Sequence, residues 1–403
     1  MNTLPKPKEK REVYLDHAAT TYMNPLIIKE MMPYFTEKYG NPSSLYSKGR
    51  QNSQVLNDCR QIIANLIKAR PLDIIFTGSG TESDNMAIYG VAQQHQHAGK
   101  HIISTPIEHH AVLHPLEDLK KQGWDITYLK VDNCGRVNPD ELAKAIRTDT
   151  VLISIMHSNN EIGTIEPIAK IGREILKHKK KTNKIYPLFH TDACQSAGYL
   201  QLDVEKMHVD LMTINGSKLY GPKGVGMLYL RQGIKIKPLI KGGSQERGLR
   251  AGTENVASIV GFTKAFELAQ ENMEDSCAKV SKVRDYLWNE LNDKIDNITL
   301  NGPSIDSTER LPNNLNVLFK GIEGEALLLY LDEYGVMCST GSACTSDSLD
   351  PSHVLTAIGV PKESAHGSIR FTFGQCNKAD DVDYLMEFLP QIVAKLREIS
   401  TIR

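Results

Sequence analysis

Short apolar runs alternate along most of the chain with longer stretches in which apolar residues recur every three or four positions. Runs of the first kind are typical of buried strands, and stretches of the second kind are typical of helices with one buried face. Strands that alternate with helices in this way predict an α/β fold with a mostly parallel central sheet flanked by helices. The predicted strands begin near Asp73, His101, Trp124, Val151, Ile185, Val209 and Val225.

The pattern loosens after Leu230, where a segment rich in glycine and charge spans residues 242–253. The amphipathic stretch from Asn255 to Glu290 is predicted to be helical and to lead into a second, smaller region of mixed α and β structure. The elements predicted in that region are strands near Thr299 and at 315–319 and helices at 324–334 and 379–399.

Composition narrows the class of protein. The 403 residues are 40% hydrophobic and 24% charged, with a net charge of −1, so no global charge points to nucleic acid or to a membrane surface. No apolar run is long enough to span a membrane. The seven cysteines are scattered without a C-x-x-C pair, which argues against a disulfide framework or a metal site and favours a reducing cytoplasm.

Chemically active residues follow several predicted strands. His109, Asn160, Asp192 and Lys218 each come shortly after an apolar run. Ligands of parallel sheets lie at the carboxyl ends of the strands, so we expect these side chains to converge. A lysine held between glycine turns suits a Schiff base with a carbonyl cofactor, whereas a lone loop lysine is more often simply solvated.

A glycine-rich turn, Thr77 to Thr81, joins a predicted strand to a predicted helix. Glycine lets the backbone approach an anion, and the free N–H groups of the helix point towards it. The turn is therefore either a phosphate site or a plain strand-to-helix connection.

Two further residues in the second region have candidate chemistry. Cys344 lies among glycine, serine, threonine and aspartate, which suits an exposed nucleophile on a mobile loop, whereas Cys338 and Cys59 have apolar neighbours and are predicted to be structural. Arg370 lies in an alternating strand and either faces inward to bind a carboxylate or lies at the surface.

The ordered set of these motifs resembles the cysteine desulfurases, in particular the branch that serves iron–sulfur cluster and nitrogenase maturation. The likeness runs from about Val13 to the C-terminal helix. The stretches that carry it are Tyr14-Leu-Asp-His-Ala-Ala-Thr-Thr, Gly40-Asn-Pro-Ser-Ser, Thr81-Glu-Ser-Asp-Asn, Glu108-His, Met156-His-Ser-Asn-Asn-Glu-Ile-Gly, His190-Thr-Asp-Ala-Cys-Gln, Lys218-Leu-Tyr-Gly-Pro-Lys-Gly, Arg247-Gly-Leu-Arg-Ala-Gly-Thr and Gly341-Ser-Ala-Cys-Thr-Ser.

The resemblance implies a class V aminotransferase of PLP fold type I that binds pyridoxal 5′-phosphate (PLP), works as a homodimer, and transfers sulfur from L-cysteine to an acceptor or cluster scaffold protein. It implies a large cofactor-binding domain at residues 24–262. Residues 1–23 and 263–403 would form the small domain with its mobile cysteine loop at about residues 338–350. A selenocysteine lyase, another class V enzyme and a non-enzymatic docking subunit are the alternatives.

The resemblance also implies a role for each site residue. Lys218 would hold the cofactor covalently, Asp192 would pair with its pyridine nitrogen, and His109 would stack on its ring. The Cys344 thiolate would attack the substrate sulfur. The resemblance further implies that the cofactor phosphate is bound by Gly80, Thr81, Asn215, Ser217 and, from the other subunit, Thr253. The phenolic oxygen of the cofactor would contact Asn160 and Gln195. The substrate carboxylate would be bound by Arg370 and Asn41.

Two residues depart from the family pattern at the phosphate site. Ser217 stands where histidine is common, and Asn215 stands where serine is common. Both side chains still donate hydrogen bonds, so we expect phosphate binding to be kept with altered strength.

Overall fold

The computed structural model describes residues 10–340 and 351–400. Within these residues the strands are β1 (Val13–Tyr14), β2 (Ile74–Thr77), β3 (His101–Ser104), β4 (Asp125–Tyr128), β5 (Thr150–Ser154), β6 (Leu188–Asp192), β7 (Leu211–Asn215), β8 (Gly226–Leu230), β9 (Ile298–Leu300), β10 (Asn314–Phe319), β11 (Val336–Met337) and β12 (Ser368–Thr372).

The helices of the same residues alternate with the strands up to β8. They are α1 (Pro25–Met31), α2 (Pro33–Thr36), α3 (Ser47–Ile67), α4 (Gly80–His95), α5 (His110–Lys121), α6 (Pro139–Ala145), α7 (Ile168–Thr182), α8 (Val204–Met207), α9 (Val256–Glu271), α10 (Met273–Lys294), α11 (Gly324–Glu333), α12 (His353–Ala357), α13 (Lys362–Ala365), α14 (Ala379–Met386) and α15 (Leu389–Ile399). No helix of the described chain is both long and apolar enough to cross a membrane.

The central sheet has seven strands in the order β2-β8-β7-β6-β5-β3-β4. The strands β3 to β7 run parallel, and β8 is antiparallel to both of its neighbours, β2 and β7. Successive residues of a strand point to opposite faces. Leu152 and Leu188 accordingly pack into one hydrophobic core, and the adjacent Ile153 and Phe189 pack into another. The predicted mostly parallel sheet with helices on both faces is confirmed.

The smaller sheets belong to a separate core. The antiparallel sheet β12-β10-β9 and the parallel pair β1-β11 contribute to one further hydrophobic cluster, to which α10, α11, α14 and α15 also belong. Because β1 pairs with β11, the first strand of the chain packs with the C-terminal part. The limit of 262 that we propose for the larger domain lies inside α9, whose Ala265 and Phe266 still pack in the core of the central sheet.

The helical stretch predicted at Asn255–Glu290 is confirmed, although it is divided into two helices, whereas the single helix predicted at 379–399 is wrong because it is interrupted. The helices α9 and α10 meet at Asn272, whose side chain donates to the carbonyl of Leu268 and so competes with helical bonding. The second break lies between α14 and α15, where Pro390 fits the first turn of a new helix but not the interior of a continuous one.

Hydrogen bonds connect the small antiparallel sheet and the loop before it to the chain segment that follows β5. The side-chain amides of Asn314 and Asn316 both donate to the carbonyl of Glu161 at 3.1 Å. The buried Arg310 donates to the carbonyl of Ile162 at 3.1 Å. These bonds fix the segment beside Asn160 against β10, so the two cores meet next to the carboxyl ends of the central strands.

Candidate active site

A cavity of about 360 Å3 lies where β5, β6 and β7 end and where α4 and α5 begin. Most of the site residues predicted from the sequence line its wall. The predicted residues that line it are Gly80, Thr81, His109, Asn160, Asp192, Gln195, Asn215, Ser217, Lys218 and Arg370.

Lys218 closes a short 3-10 turn, Gly216–Lys218, directly after β7. The turn requires glycine at 216 because an added Cβ would lie 2.7 Å from the carbonyl oxygen of Pro222. The Lys218 ammonium donates to the carbonyl of Ala19, which also lines the cavity. The amine is therefore held inside the cavity rather than solvated on a loop.

Asp192 is the last residue of β6 and is buried. Its Oδ1 accepts the N–H of Cys194 at 2.9 Å, and its main-chain carbonyl accepts the N–H of His157 at 2.8 Å. The carboxylate thus has a fixed position in the cavity wall and a negative charge to offer a ligand.

His109 is the N-cap of α5, and its Nδ1 accepts the N–H of Ala111 at 3.1 Å. Burial lowers the pKa of His109, the nearby Asp192 raises it, and Lys218 lowers it further. The ring is consequently neutral at pH 7, and because Nδ1 accepts a hydrogen bond, its proton is on Nε2.

The N-terminus of α4 forms another part of the wall. Ser79 caps the helix by accepting the N–H of Glu82 at 3.1 Å, and Gly80 is the first helical residue. A Cβ on Gly80 would lie 2.9 Å from the Cys194 sulfur and 3.0 Å from the Asn215 amide. The missing side chain keeps the first turn of α4 open to the cavity, and the phosphate interpretation places the anion beside the free N–H groups of that turn.

Arg370, in the middle of β12, is only 3% exposed and reaches the cavity from the small sheet. Its Nη1 donates to the carbonyl of Asn160 at 3.0 Å, and its Nη2 donates to Asp16 Oδ1 at 2.7 Å. Its Nε has no hydrogen-bond partner in the described chain. Of the two positions that the sequence left open, the structure thus places Arg370 inside.

Comparison with known proteins identifies the family. Residues 13–385 match the model of the aminotransferase class-V family. The chain is 53% identical to the cysteine desulfurase IscS of Dictyoglomus turgidum over 97% of both chains, and 50% identical to that of Clostridium botulinum over 97% of this chain and 96% of the relative. The chain belongs to the class V aminotransferase family, in its cysteine desulfurase branch.

The structural comparison agrees with this family. A solved NifS-like protein superposes with a TM-score of 0.88 at 37% identity, over 96% of this chain and all of that chain. The fold is therefore PLP fold type I, and the family predicted from the motifs is confirmed.

Asp84 is a buried acid of this desulfurase-type cavity that the sequence did not reveal. It lies in α4, and burial, with the charge of Asp192 as the next cause, holds its pKa well above the usual range. Its Oδ1 is 3.6 Å from Nε2 of His190, whose ring also contacts Ser154 and Thr213 at 2.9 and 3.1 Å. Asp84 lies inside a helix rather than after a strand, so the sequence pattern does not single it out.

Glu108 is a second buried acid, next in sequence to His109. Its Oε1 accepts the Thr105 hydroxyl at 2.7 Å and the N–H of Met156 at 3.0 Å, whereas its Oε2 has no partner among the described residues. Burial raises the pKa of Glu108 to about 8, so the acid is largely protonated at neutral pH. The sequence grouped it only with the motif of His109.

Three predicted site residues do not line this cavity. Asn41 lies in the loop before α3, where its Oδ1 accepts the N–H of Ser43 at 2.9 Å. Thr253 is exposed, and its predicted role concerns the other subunit of a dimer. Cys344 lies outside the described residues.

Cys59 is buried, as predicted for a structural cysteine, and burial raises the pKa of Cys338.

Proposed function

We propose that this chain is a cysteine desulfurase that binds PLP, converts L-cysteine to L-alanine, and transfers the sulfur as a persulfide on Cys344. The observation that carries the proposal is the convergence of Lys218, Asp192 and His109 with the N-terminus of α4 on one cavity. A chain about half identical to cysteine desulfurases keeps an amine, an acid and an anion site together, so binding of a phosphorylated aldehyde is the chemistry that suits the cavity.

The residues present fit PLP. The N-terminus of α4, the small space at Gly80, Asn215 and Ser217 would hold its phosphate, with Thr253 of a second subunit. Lys218 would bind it covalently, His109 would stack on its ring, and Asn160 and Gln195 would contact its phenolic oxygen. When bound, PLP supplies a ring that accepts electrons from the amino-acid substrate.

The protein side chains have distinct tasks in the proposed reaction. Asp192 would keep the pyridine nitrogen protonated, because its carboxylate is buried and fixed. The amine of Lys218 would remove the Cα proton of the substrate. Arg370 would orient the substrate carboxylate, and we propose that Asn41 assists it.

Sulfur transfer would use Cys344. Its thiolate would attack the sulfur of the substrate, so that an S–S bond forms while the Cβ–S bond breaks. The electron pair of the broken bond stays on Cβ, which takes up a proton to give alanine. The persulfide then passes its terminal sulfur to an acceptor or cluster scaffold protein, in the cytoplasm.

We further propose a homodimer. Eight of the exposed large apolar side chains lie between residues 22 and 46, and the most exposed of these is Leu45. A concentration of apolar surface of this kind favours a protein interface. Asn41 lies in the same segment, and dimerisation would bring Thr253 of one subunit to the site of the other.

The test is to incubate the purified holoprotein with L-cysteine, quantify alanine, and measure the mass of the peptide that contains Cys344. We expect alanine to accumulate and the peptide to gain one sulfur atom. A Cys344→Ser variant should keep the visible absorption of the cofactor and lose sustained turnover. Continued turnover by that variant would refute the role of Cys344, and a colourless wild-type protein would refute PLP binding.

A selenocysteine lyase is the second candidate, since the same cavity would accept selenocysteine. Parallel assays of alanine formation from cysteine and from selenocysteine separate the two functions. We expect cysteine to be turned over, because the relatives that share half of the sequence are named cysteine desulfurases.

A further inference from the structure

A second cavity, of about 480 Å3, lies at the N-terminal end of α7. Side chains of α8 and of the loop before β10 complete its wall, and it shares no lining residue with the cofactor cavity. Its volume is within the range of small-molecule sites. The proposed desulfurase chemistry makes no use of it.

Positive charge predominates in this wall. Arg136 is paired with Glu309, and Lys206 lies 3.5 Å from Asp203. Lys170 and Arg173, by contrast, form no ion pair within residues 10–340 and 351–400. They are exposed and three positions apart on α7, so both can reach the same ligand at the first turn of the helix.

The backbone adds to this attraction. The helix α7 begins at Ile168 after Pro167, which provides no side-chain cap. The first N–H groups of a helix lack helical partners, and the helix dipole favours negative charge at this end. Ile168 and Ala169 both line the cavity.

Buried polar atoms without partners lie in the same wall. His157 is 8% exposed and Glu166 is 3% exposed, and His157 Nδ1 and Glu166 Oε1 have no hydrogen-bond partner in the described part of the chain. Buried polar atoms are rarely left unpaired, so their grouping beside one cavity indicates a wall suited to a polar ligand.

Neither of these buried groups repels an anion at neutral pH. Burial raises the pKa of Glu166 to about 8, so this acid is largely protonated and can donate a hydrogen bond. Burial lowers the pKa of His157 to about 4, so its ring is neutral. The charge near the first turn of α7 is therefore set by the unpaired Lys170 and Arg173.

We propose that this second cavity binds a small organic anion with a phosphate or carboxylate head and a compact apolar body. Lys170, Arg173 and the first amides of α7 bind the head, because a guanidinium and a helix N-terminus both suit such groups. Ile165 and Met207 in the wall contact the apolar body.

The test measures binding to the holoprotein by isothermal titration calorimetry, with phenyl phosphate and benzoate as separate probes for the two head groups. The variant is Lys170→Gln combined with Arg173→Gln, two exposed residues whose loss spares the core. We expect at least about a tenfold weaker binding of the preferred probe, since two charge-assisted contacts are lost.

The matched control is Lys180→Gln, an exposed lysine near the C-terminal end of the same helix. It should leave the affinity within about twofold, because screening weakens attraction between charges more than about 10 Å apart. The proposal is overturned if neither probe binds wild-type protein saturably, if the double variant binds as tightly as wild type, or if the control loses as much affinity. Alanine formation from cysteine is measured separately, so failure here does not affect the proposed desulfurase function.

Discussion

Individual buried acids set the electrostatics around the cofactor cavity. Glu108 and Asp84 both lie in or behind its wall, and burial is the largest cause of the raised pKa of each. Glu108, whose pKa is about 8, stays largely protonated at neutral pH and adds little charge beside Asp192. The raised pKa of Asp84 likewise favours its neutral form.

Replacing Glu108 with Gln tests this interpretation through stability. The unfolded pKa is about 4.5 and the folded pKa about 8, so wild-type stability falls as the pH rises from 4.5 to 8, where the unfolded chain ionises and the folded chain does not. Glu108→Gln removes this dependence. In urea denaturation at several pH values, the free energy of unfolding of the variant relative to that of wild type should therefore rise by a few kcal/mol between pH 5 and about 8.

The control for this prediction is Glu117→Gln, an exposed glutamate of α5. Its stability difference from wild type should change far less with pH, because an exposed carboxyl is solvated in both states. Parallel pH profiles for Glu108→Gln and wild type would contradict the buried-acid interpretation.

The positions of residues around the cavity could be predicted from the sequence where a residue follows a strand, but not where it lies inside a helix. The convergence of Lys218, Asp192 and His109 could be predicted because parallel strands end at a common edge. The position of Asp84 could not be predicted, because a carboxyl inside a helix is ordinarily solvated and only the packing of α4 on the sheet buries it. The buried unpaired atoms of His157 and Glu166 likewise depend on packing.

At the scale of elements, the site is formed by the carboxyl ends of β5, β6 and β7, the N-termini of α4 and α5, and the strand β12 of the small sheet. The strand positions followed from apolar runs, although the strand predicted from about Trp124 covers only Asp125–Tyr128 and the strand predicted from about Ile185 begins only at Leu188. The helix breaks at Asn272 and before Pro390 were missed, because periodicity continues across both while local hydrogen bonding and packing interrupt the helix.

Gly80→Ala tests the role of the α4 start. The added methyl group would contact the Cys194 sulfur and the Asn215 amide at about 3 Å and fill the space proposed for the phosphate. We expect the PLP dissociation constant to rise by at least about tenfold, with the fold retained. Fluorescence titration of the apoprotein measures it.

Gly198→Ala is the comparison variant, since a methyl group there meets only the flexible end of Leu219 at 3.3 Å. It should bind PLP as wild type does. Unchanged PLP affinity in Gly80→Ala would mean that the phosphate lies elsewhere.

At the scale of the whole molecule, Arg310 joins the two cores. It is 3% exposed and donates to the carbonyls of Ile162, Asn301 and Pro303 at 3.1, 2.6 and 2.8 Å. Arg310→Met would leave these buried acceptors without a donor, so we expect a loss of about 3 kcal/mol or more in the free energy of unfolding.

Chemical denaturation measures this loss, with Arg397→Met as control. Arg397 also donates to two carbonyls, those of Lys320 and Asn297, but at an exposed position where water can replace it. We expect a loss below about 1 kcal/mol for the control. Equal losses would show that burial of Arg310 is not what matters.

The proposed dimer gives a second prediction at this scale. Leu45 is 88% exposed and belongs to the apolar segment at residues 22–46, whereas Leu329 is 74% exposed on α11. Leu45→Glu should shift the protein towards the monomer in analytical ultracentrifugation, because a charge would be buried in the interface. Leu329→Glu should leave the mass unchanged; a monomeric wild type, or a dimer indifferent to Leu45→Glu, would oppose the proposal.

The bond between Arg370 and Asp16 has a further consequence for the proposed reaction. The guanidinium already holds a carboxylate of the protein itself, contributed by the chain just after β1. An arriving amino acid must therefore share Arg370 with Asp16 or displace Asp16, so the Asp16 carboxylate competes with the substrate carboxylate. The affinity for cysteine would then depend on how tightly Asp16 binds Arg370. A substitution near residue 16 could change that affinity without altering any group that takes part in sulfur transfer.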